Sequence, residues 1–272
     1  VLCGLLGCFF IQNTEPVKAD LLTFTVTGGS LTLSGNSTVS GSGVPGGGTV
    51  GPLAYTPQLG FPDSLVTSYG GFFVVDVNNV LAPTALEFDR GQIDANVRGP
   101  YSPNNAGTGQ TPAAPADYGF RVAELGANGK LRDVVFGLTG ASTPVTGGTF
   151  SVANQNWAYN SGFVDVFSTA LNAGTSQSLL GTALNTNAGL GSYNVAGNTI
   201  TMTLPVTFSI AYTYTGTETL PTLTGVNTYT GTITAVTAVP EPTSLLLCGL
   251  VGFGAIAFRG RMRKLNMYSH QL

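Results

Sequence analysis

The 272-residue chain has few of the side chains on which most enzyme chemistry depends. Its single histidine, His270, is the third residue from the end, so the body has no imidazole for zinc, haem or general-base work. The three cysteines, Cys3, Cys8 and Cys248, fall in apolar stretches toward the two ends. The middle of the chain therefore has neither disulfides nor a cysteine nucleophile, and histidine-dependent triads are excluded with the imidazole. Charge is scarce too: 8% of residues are Asp, Glu, Lys or Arg, against roughly a quarter in an ordinary soluble domain. Residues 20–239 hold five basic and eleven acidic side chains, net −6, whereas residues 240–272 hold four basic and one acidic, net +3. An acidic body with scattered bases excludes nucleic acid as a partner. What is plentiful is glycine, at 38 residues, with 43% hydrophobic and 10% aromatic residues. That composition argues against a disordered chain, and the length suits one large domain or two small ones.

Each end carries a segment of its own kind. Val1 to Ile11 is an apolar run, followed by polar residues and Val17-Lys18-Ala19. Small residues at the first and third of these positions fit a signal-peptidase site, which predicts a signal peptide over residues 1–19 with cleavage between Ala19 and Asp20. Its initiator Met and basic region are missing, so the expectation is that the chain starts inside the signal. A competing lipoprotein box, Leu5-Leu6-Gly7-Cys8, is disfavoured because the apolar run continues through Phe9, Phe10 and Ile11. Near the other end, Leu245 to Phe258 is uncharged and almost wholly apolar, and Arg259, Arg261, Arg263 and Lys264 follow directly. With Thr243 and Ser244 it predicts a transmembrane helix over 243–258, about 24 Å long at 1.5 Å per residue. A hydrocarbon core is roughly 30 Å thick, so snorkelling arginines or local thinning would cover the deficit. The basic cluster is the membrane stop and stays cytoplasmic, leaving the preceding body on the far side.

Just before this helix stands Val239-Pro240-Glu241-Pro242. Two prolines hold the motif extended and accessible at the membrane face. The motif, short apolar helix and arginine cluster together, residues 239–272, resemble the PEP-CTERM sorting signal of exported bacterial proteins. The resemblance implies an exosortase as processing partner, which recognises the motif and removes the helix. It further implies a membrane-anchored precursor, delivery to the cell surface or extracellular matrix, and an association with extracellular polysaccharide and biofilm. Permanent anchoring of the body is the competing outcome. The tail Leu265 to Leu272 is longer than the usual abrupt basic ending.

Between these segments the dominant period is two. It is clearest at Ile200, Met202, Leu204, Val206, Phe208, Ile210, Tyr212 and Tyr214, where every even position is apolar. Strict alternation describes strands with one face on a core and one in water. Ala196-Gly197-Asn198 predicts a tight turn pairing this strand with Tyr193 to Val195, and Pro205 predicts a bend, bulge or sheet edge. Shorter strands are expected at Leu22–Val26, Ser30–Leu33, Phe72–Val77, Ala85–Phe88, Tyr118–Val122, Leu131–Phe136, Thr149–Val152, Gly162–Phe167 and Thr228–Ala235. Many short strands divided by turn residues predict an all-β fold, a jelly-roll-like β-sandwich ectodomain over residues 20–238. A short helix within Asn172–Leu184 is the one exception. Ser40–Gly48 and Gly99–Ala116 read as surface loops, the second also as a possible divider between two small domains.

Candidate chemistry is sparse. Glu87, Asp89 and Asp94, with Arg90 and Arg98, form the densest charge cluster of the body. The first two would share a strand face, with Asp94 beyond a turn at Gly91. Paired carboxylates hydrolyse glycosides and clustered ones hold calcium, but a solvated turn with local ion pairs is the simpler reading, and no metal or cofactor is expected. Asp76, Asp117 and Asp165 read as turn acids. Trp157, near Tyr159, is either core or a sugar-stacking platform. Fifteen of the thirty-nine residues from Thr199 to Thr237 are threonine, which fits a solvated sheet face or a hydroxyl-rich surface for sugars. The function expected is structural or adhesive, in an exported surface or matrix protein associated with exopolysaccharide. The alternative is a secreted carboxylate-dependent polysaccharide hydrolase or lyase using Glu87 with Asp89 or Asp94.

Overall fold

Alternating apolar and hydroxyl residues give long strands, because each apolar side chain turned inward leaves its neighbours facing water. The computed structural model describes residues 20–240, except 42–43, 45–47, 58–64, 97–98, 101–114, 123–126, 169–172, 187–188 and 215–220. The expected signal peptide through Ala19, the motif residues Glu241 and Pro242, the 243–258 helix, and Arg259, Arg261, Arg263 and Lys264 lie outside the described residues. So does Arg98. Among the described residues no helix is long and apolar enough to cross a membrane. The chain divides into two units, residues 1–237 and 238–272, and the description that follows concerns the first.

The described elements are all strands. They are β1 (Asp20–Ser40), β2 (Thr49–Ala54), β3 (Thr56–Pro57), β4 (Val66–Val77), β5 (Ala85–Ala95), β6 (Gly99–Pro100), β7 (Pro115–Ala116), β8 (Tyr118–Val122) and β9 (Ala127–Gly140). After these come β10 (Thr143–Thr146), β11 (Thr149–Ser151), β12 (Gln155–Ser168), β13 (Ala173–Ser178), β14 (Ala183–Thr186), β15 (Leu190–Ala196), β16 (Thr199–Tyr214) and β17 (Thr222–Ala238). The all-β class thus agrees with the alternation. The helix expected within Asn172–Leu184 does not form: residues 173–178 pair with β12, and residues 183–186 pair with β12 and β16.

Apart from the two-residue β6–β7 pair, the strands form one antiparallel sheet that closes on itself twice. One ring runs β1-β4-β5-β9-β12-β14-β16-β17, and a second runs β1-β4-β5-β10-β11-β15-β16-β17. The long strands serve both rings by changing partner along their length. On β5, Leu86 faces β10 while Gln92, Ile93 and Asp94 face β9. On β16, residues 199–203 pair with β15 and Phe208–Ser209 with β14. Pro205 falls between those two partners, where its missing N–H costs no ladder bond, and the strand continues through it. The turn at Gly197-Asn198 and the β15–β16 hairpin form as expected. Gly91 is no turn: it sits inside β5, where a Cβ would come within 2.9 Å of the Phe73 Cβ and 3.0 Å of the Leu138 Cβ. Asp94 therefore belongs to the same strand as Glu87 and Asp89.

Opposite walls are packed by aromatic rings. Phe136 of β9 meets Tyr69, Trp157, Tyr159, Phe208 and Tyr229 with ring centroids 5.0–6.4 Å apart. In the other ring Phe24 stacks on Phe73 and meets Tyr193, and Phe88 bridges Phe73 and Phe150. Each large apolar side chain buried here stabilises the fold by about 1.5–3 kcal/mol. The buried tyrosines also pair their hydroxyls, Tyr69 with Tyr118 and Tyr159 with Tyr229, each at 2.6 Å. That satisfies groups which would otherwise cost about 1–3 kcal/mol each.

Candidate functional site

The outward face of four neighbouring strands, in the order β4-β1-β17-β16, is free of charge except at Asp76 of β4, and on β1, β17 and β16 it is rich in hydroxyls. Between Leu21 and Ser40, Thr199 and Tyr214, and Thr222 and Ala238 there is no Asp, Glu, Lys, Arg or His. Along the β1–β17 ladder the outward residues stand opposite one another as Ser30–Thr232, Thr32–Thr230, Ser34–Thr228, Thr38–Thr224 and Ser40–Thr222. Only Asn36–Val226 interrupts this series. The array repeats about every 6.8 Å along a strand and about every 4.8 Å between strands. Thr199, Thr201, Thr203, Thr207 and Ser209 continue it on β16. All of these side chains are exposed or half-buried.

The inner face of β1 and β17 is largely apolar except toward one end, where β1 carries Gly35 and Ser37 and β17 carries Gly225 and Asn227. The glycines make room for two tyrosines. A Cβ at Gly35 would strike the Tyr55 ring, and one at Gly225 would strike the Tyr212 hydroxyl and the Asn36 carbonyl. The Tyr212 Oη lies 2.5 Å from Ser37 Oγ and 2.6 Å from Tyr55 Oη. Burial raises the pKa of both phenols, and for Tyr55 the neighbouring Tyr212 adds to the rise. Together with Phe120, Val122, Ala127, Asn128, Val164, Val166, Leu179, Ile210, Leu223 and Asn227 these groups line a narrow cleft. Counting its mouth, the cleft encloses about 560 Å³ of space between side chains, of which about 20 Å³ admits the centre of a water molecule. Nothing in the spacing of Ser37, Tyr55, Tyr212 and Asn227 along the chain announces that they meet.

A buried charge cluster joins β9 to β12. Lys130 stands opposite Asp165 in the ladder, with 0% and 1% of their side chains exposed and Nζ 3.8 Å from Oδ2. Arg132 donates from Nε to the same Asp165 oxygen at 2.9 Å and lies 4.2 Å over the Phe163 ring. Burial pulls the Lys130 pKa down, and the Asp165 carboxylate opposes that pull. Asp165 is thus the centre of an internal ion cluster rather than a turn acid. Asp117, between β7 and β8, is also buried, at 1% exposure, and accepts the Val134 N–H at 2.8 Å. Desolvation pushes its pKa up to about 6 despite that bond, and the charge of Asp133 adds to the rise. Asp76 is half-buried near the end of β4.

The carboxylates expected as candidate chemistry line β5 facing outward. Glu87 and Asp89 are exposed and Asp94 is half-buried. Asp89 pairs with Arg90 at 2.8 Å, and Asp94 accepts from Gln92 at 3.0 Å. Among the described residues no three His, Cys, Asp or Glu side chains are grouped to hold a metal ion. Trp157 is 4% exposed and packs on Phe136 and Phe208, so it is core and offers no face to a sugar. Of the sorting motif, Val239 and Pro240 are described and Glu241 and Pro242 are not; Asp20, which follows the expected signal cleavage, opens β1.

Comparison with known proteins adds one finding. Residues 238–264 match the PEP-CTERM protein-sorting motif, so this stretch of the chain carries that sorting signal. The motif implies exosortase processing and marks an exported, membrane-anchored precursor bound for the cell surface. No curated protein matches the chain.

Proposed function

We propose that the sorted protein is a non-catalytic component of the cell surface or extracellular matrix, and that it adheres to neutral polysaccharide through the hydroxyl face of β4, β1, β17 and β16. The observation that carries this reading is the charge-free ladder of paired Ser and Thr side chains. Threonine offers a sugar two things at once, a hydroxyl for its hydroxyls and a methyl for its C–H surfaces. One such hydrogen bond nets only about 0.5–1.5 kcal/mol. Adhesion therefore needs many contacts along an extended polymer, and a long regular face supplies them. Because the β1–β17 ladder carries no ions, approach of a neutral glycan to it incurs no charge-desolvation penalty of the kind that buried ions suffer.

The test is co-sedimentation of the purified protein with extracellular polysaccharide from the producing cells. Thr32→Lys with Thr230→Lys places two cations on opposite positions of the ladder and should lower binding at least tenfold with the melting temperature unchanged. Binding indifferent to this pair would refute the assignment of the face. Turnover of the polysaccharide, abolished by Glu87→Ala, would instead establish the hydrolase or lyase. C-terminal peptide mass spectrometry of the surface-displayed protein tests processing: loss of the Arg259–Lys264 cluster is expected, and its retention would make the protein a permanently anchored module.

A further inference from the structure

The polar side chains at this end of the sheet define what the cleft holds. Tyr212 Oη has the Ser37 and Tyr55 hydroxyls at 2.5 and 2.6 Å and Asn36 O at 3.3 Å, so the three hydroxyls are linked to one another at the edge of the cleft. Two amides line the cleft as well, Asn128, which is half-buried, and Asn227, which is 4% exposed and whose Oδ1 is buried with no hydrogen-bond partner among the described residues. The other walls are valine, leucine, isoleucine, alanine and phenylalanine, so the donor that the Asn227 oxygen lacks must come from an occupant.

We infer that this cleft is an internal hydration site holding one long-lived water, which donates to Asn227 Oδ1 and hydrogen-bonds the Ser37–Tyr55–Tyr212 cluster. Size decides between water and a larger donor. A cavity needs about 10–15 Å³ of space for a water's centre to hold one water, and about 20 Å³ is present; a sugar ring or an acyl chain needs several times more. An unpaired buried amide oxygen costs about 1–3 kcal/mol, more than the roughly 0–2 kcal/mol cost of immobilising a water. The site also has a structural task. Residues 49–57 run from a ladder with β1 to one with β8, strapping the two walls together at this end, and Tyr55 is the side chain of that strap which enters the cleft. The water thus ties the strap to β17.

High-resolution crystallography of the full chain, together with magnetic relaxation dispersion, tests the inference. Density for a single water within about 3.1 Å of Asn227 Oδ1 is expected. Asn227→Leu should lower the number of long-lived internal waters by one and speed amide exchange of the strap at least tenfold. A dry cleft in the wild-type crystal would overturn the inference, as would elongated density from a co-purified molecule. Unchanged dispersion in a folded Asn227→Leu protein would do the same. If that variant does not fold, the wild-type density alone decides.

Discussion

Replacing Asp117 by Asn should change how the stability of the protein depends on pH. Asp117 is 1% exposed, and its folded pKa of about 6 stands above the usual 3.8. The cause is desolvation, reinforced by Asp133 and only partly offset by the Val134 N–H. The folded state therefore binds this proton more tightly than the unfolded chain does. Stability from this group is fully present below about pH 4 and is lost as pH rises through about 6. At about 1.4 kcal/mol per pKa unit, a rise of roughly two units makes the ionised carboxylate cost about 3 kcal/mol at neutral pH. That is a large share of the 5–15 kcal/mol that holds a typical domain together.

Asparagine keeps an oxygen for the Val134 N–H and carries no titrating proton. Denaturant melts of both proteins, taken every half unit from pH 4 to pH 7.5, would isolate the effect, because carboxylates common to both cancel in the difference. The wild type should lose about 2.5 kcal/mol relative to Asp117→Asn across this range, with nearly all of the loss complete by pH 7. Parallel curves would refute the argument, since they would mean that Asp117 is as well solvated in the folded protein as in the unfolded one.

Phe136→Ala removes the ring on which five others converge and should cost about 3–5 kcal/mol; a midpoint shift below 1 kcal/mol in urea would show that the rings repack. Asp165→Ala leaves Lys130 and Arg132 without their shared carboxylate and should cost about 3–5 kcal/mol. Adding Lys130→Met should recover part of that loss, and a double variant no more stable than the single would be contrary to a buried charge as the cause. Gly225→Ala forces a methyl against the Asn36 carbonyl and Tyr212. It should destabilise by about 1–3 kcal/mol, the usual cost of overpacking, and loosen Tyr55, seen as a rise in phenol accessibility to iodination. An alanine variant with wild-type stability and accessibility would show that this end has slack.

The strands were legible because their cause is local. Period two survives in β16 from Thr199 to Tyr214, the β15–β16 turn has its Gly-Asn pair, and Tyr118–Val122 has the same bounds in the sequence reading and in the fold. Where local cues competed, the reading failed. Residues 172–184 contain enough Ala, Leu and Gln to suggest a helix, yet pairing with β12 and β16 prevails. Gly91 suggests a turn by its residue type, but it is glycine because two side chains of neighbouring strands crowd its Cα.

The outer hydroxyl face follows from composition: a strand rich in threonine at alternate positions must present it to water once the other face is apolar. The inner site does not. Ser37 and Tyr212 are 175 residues apart, and Lys130 and Asp165 are 35 apart, so their meeting depends on which strands pair and in what register. By itself the sequence determined the sorting motif, the strand-forming alternation and the lack of imidazole and thiol chemistry in the body, because these depend only on residue identity and spacing. Only the tertiary structure decided that one sheet closes on itself twice, that Trp157 is core, and that four polar side chains converge at one barrel end. Non-local pairing sets those outcomes, and alternation is the same whichever partner a strand takes.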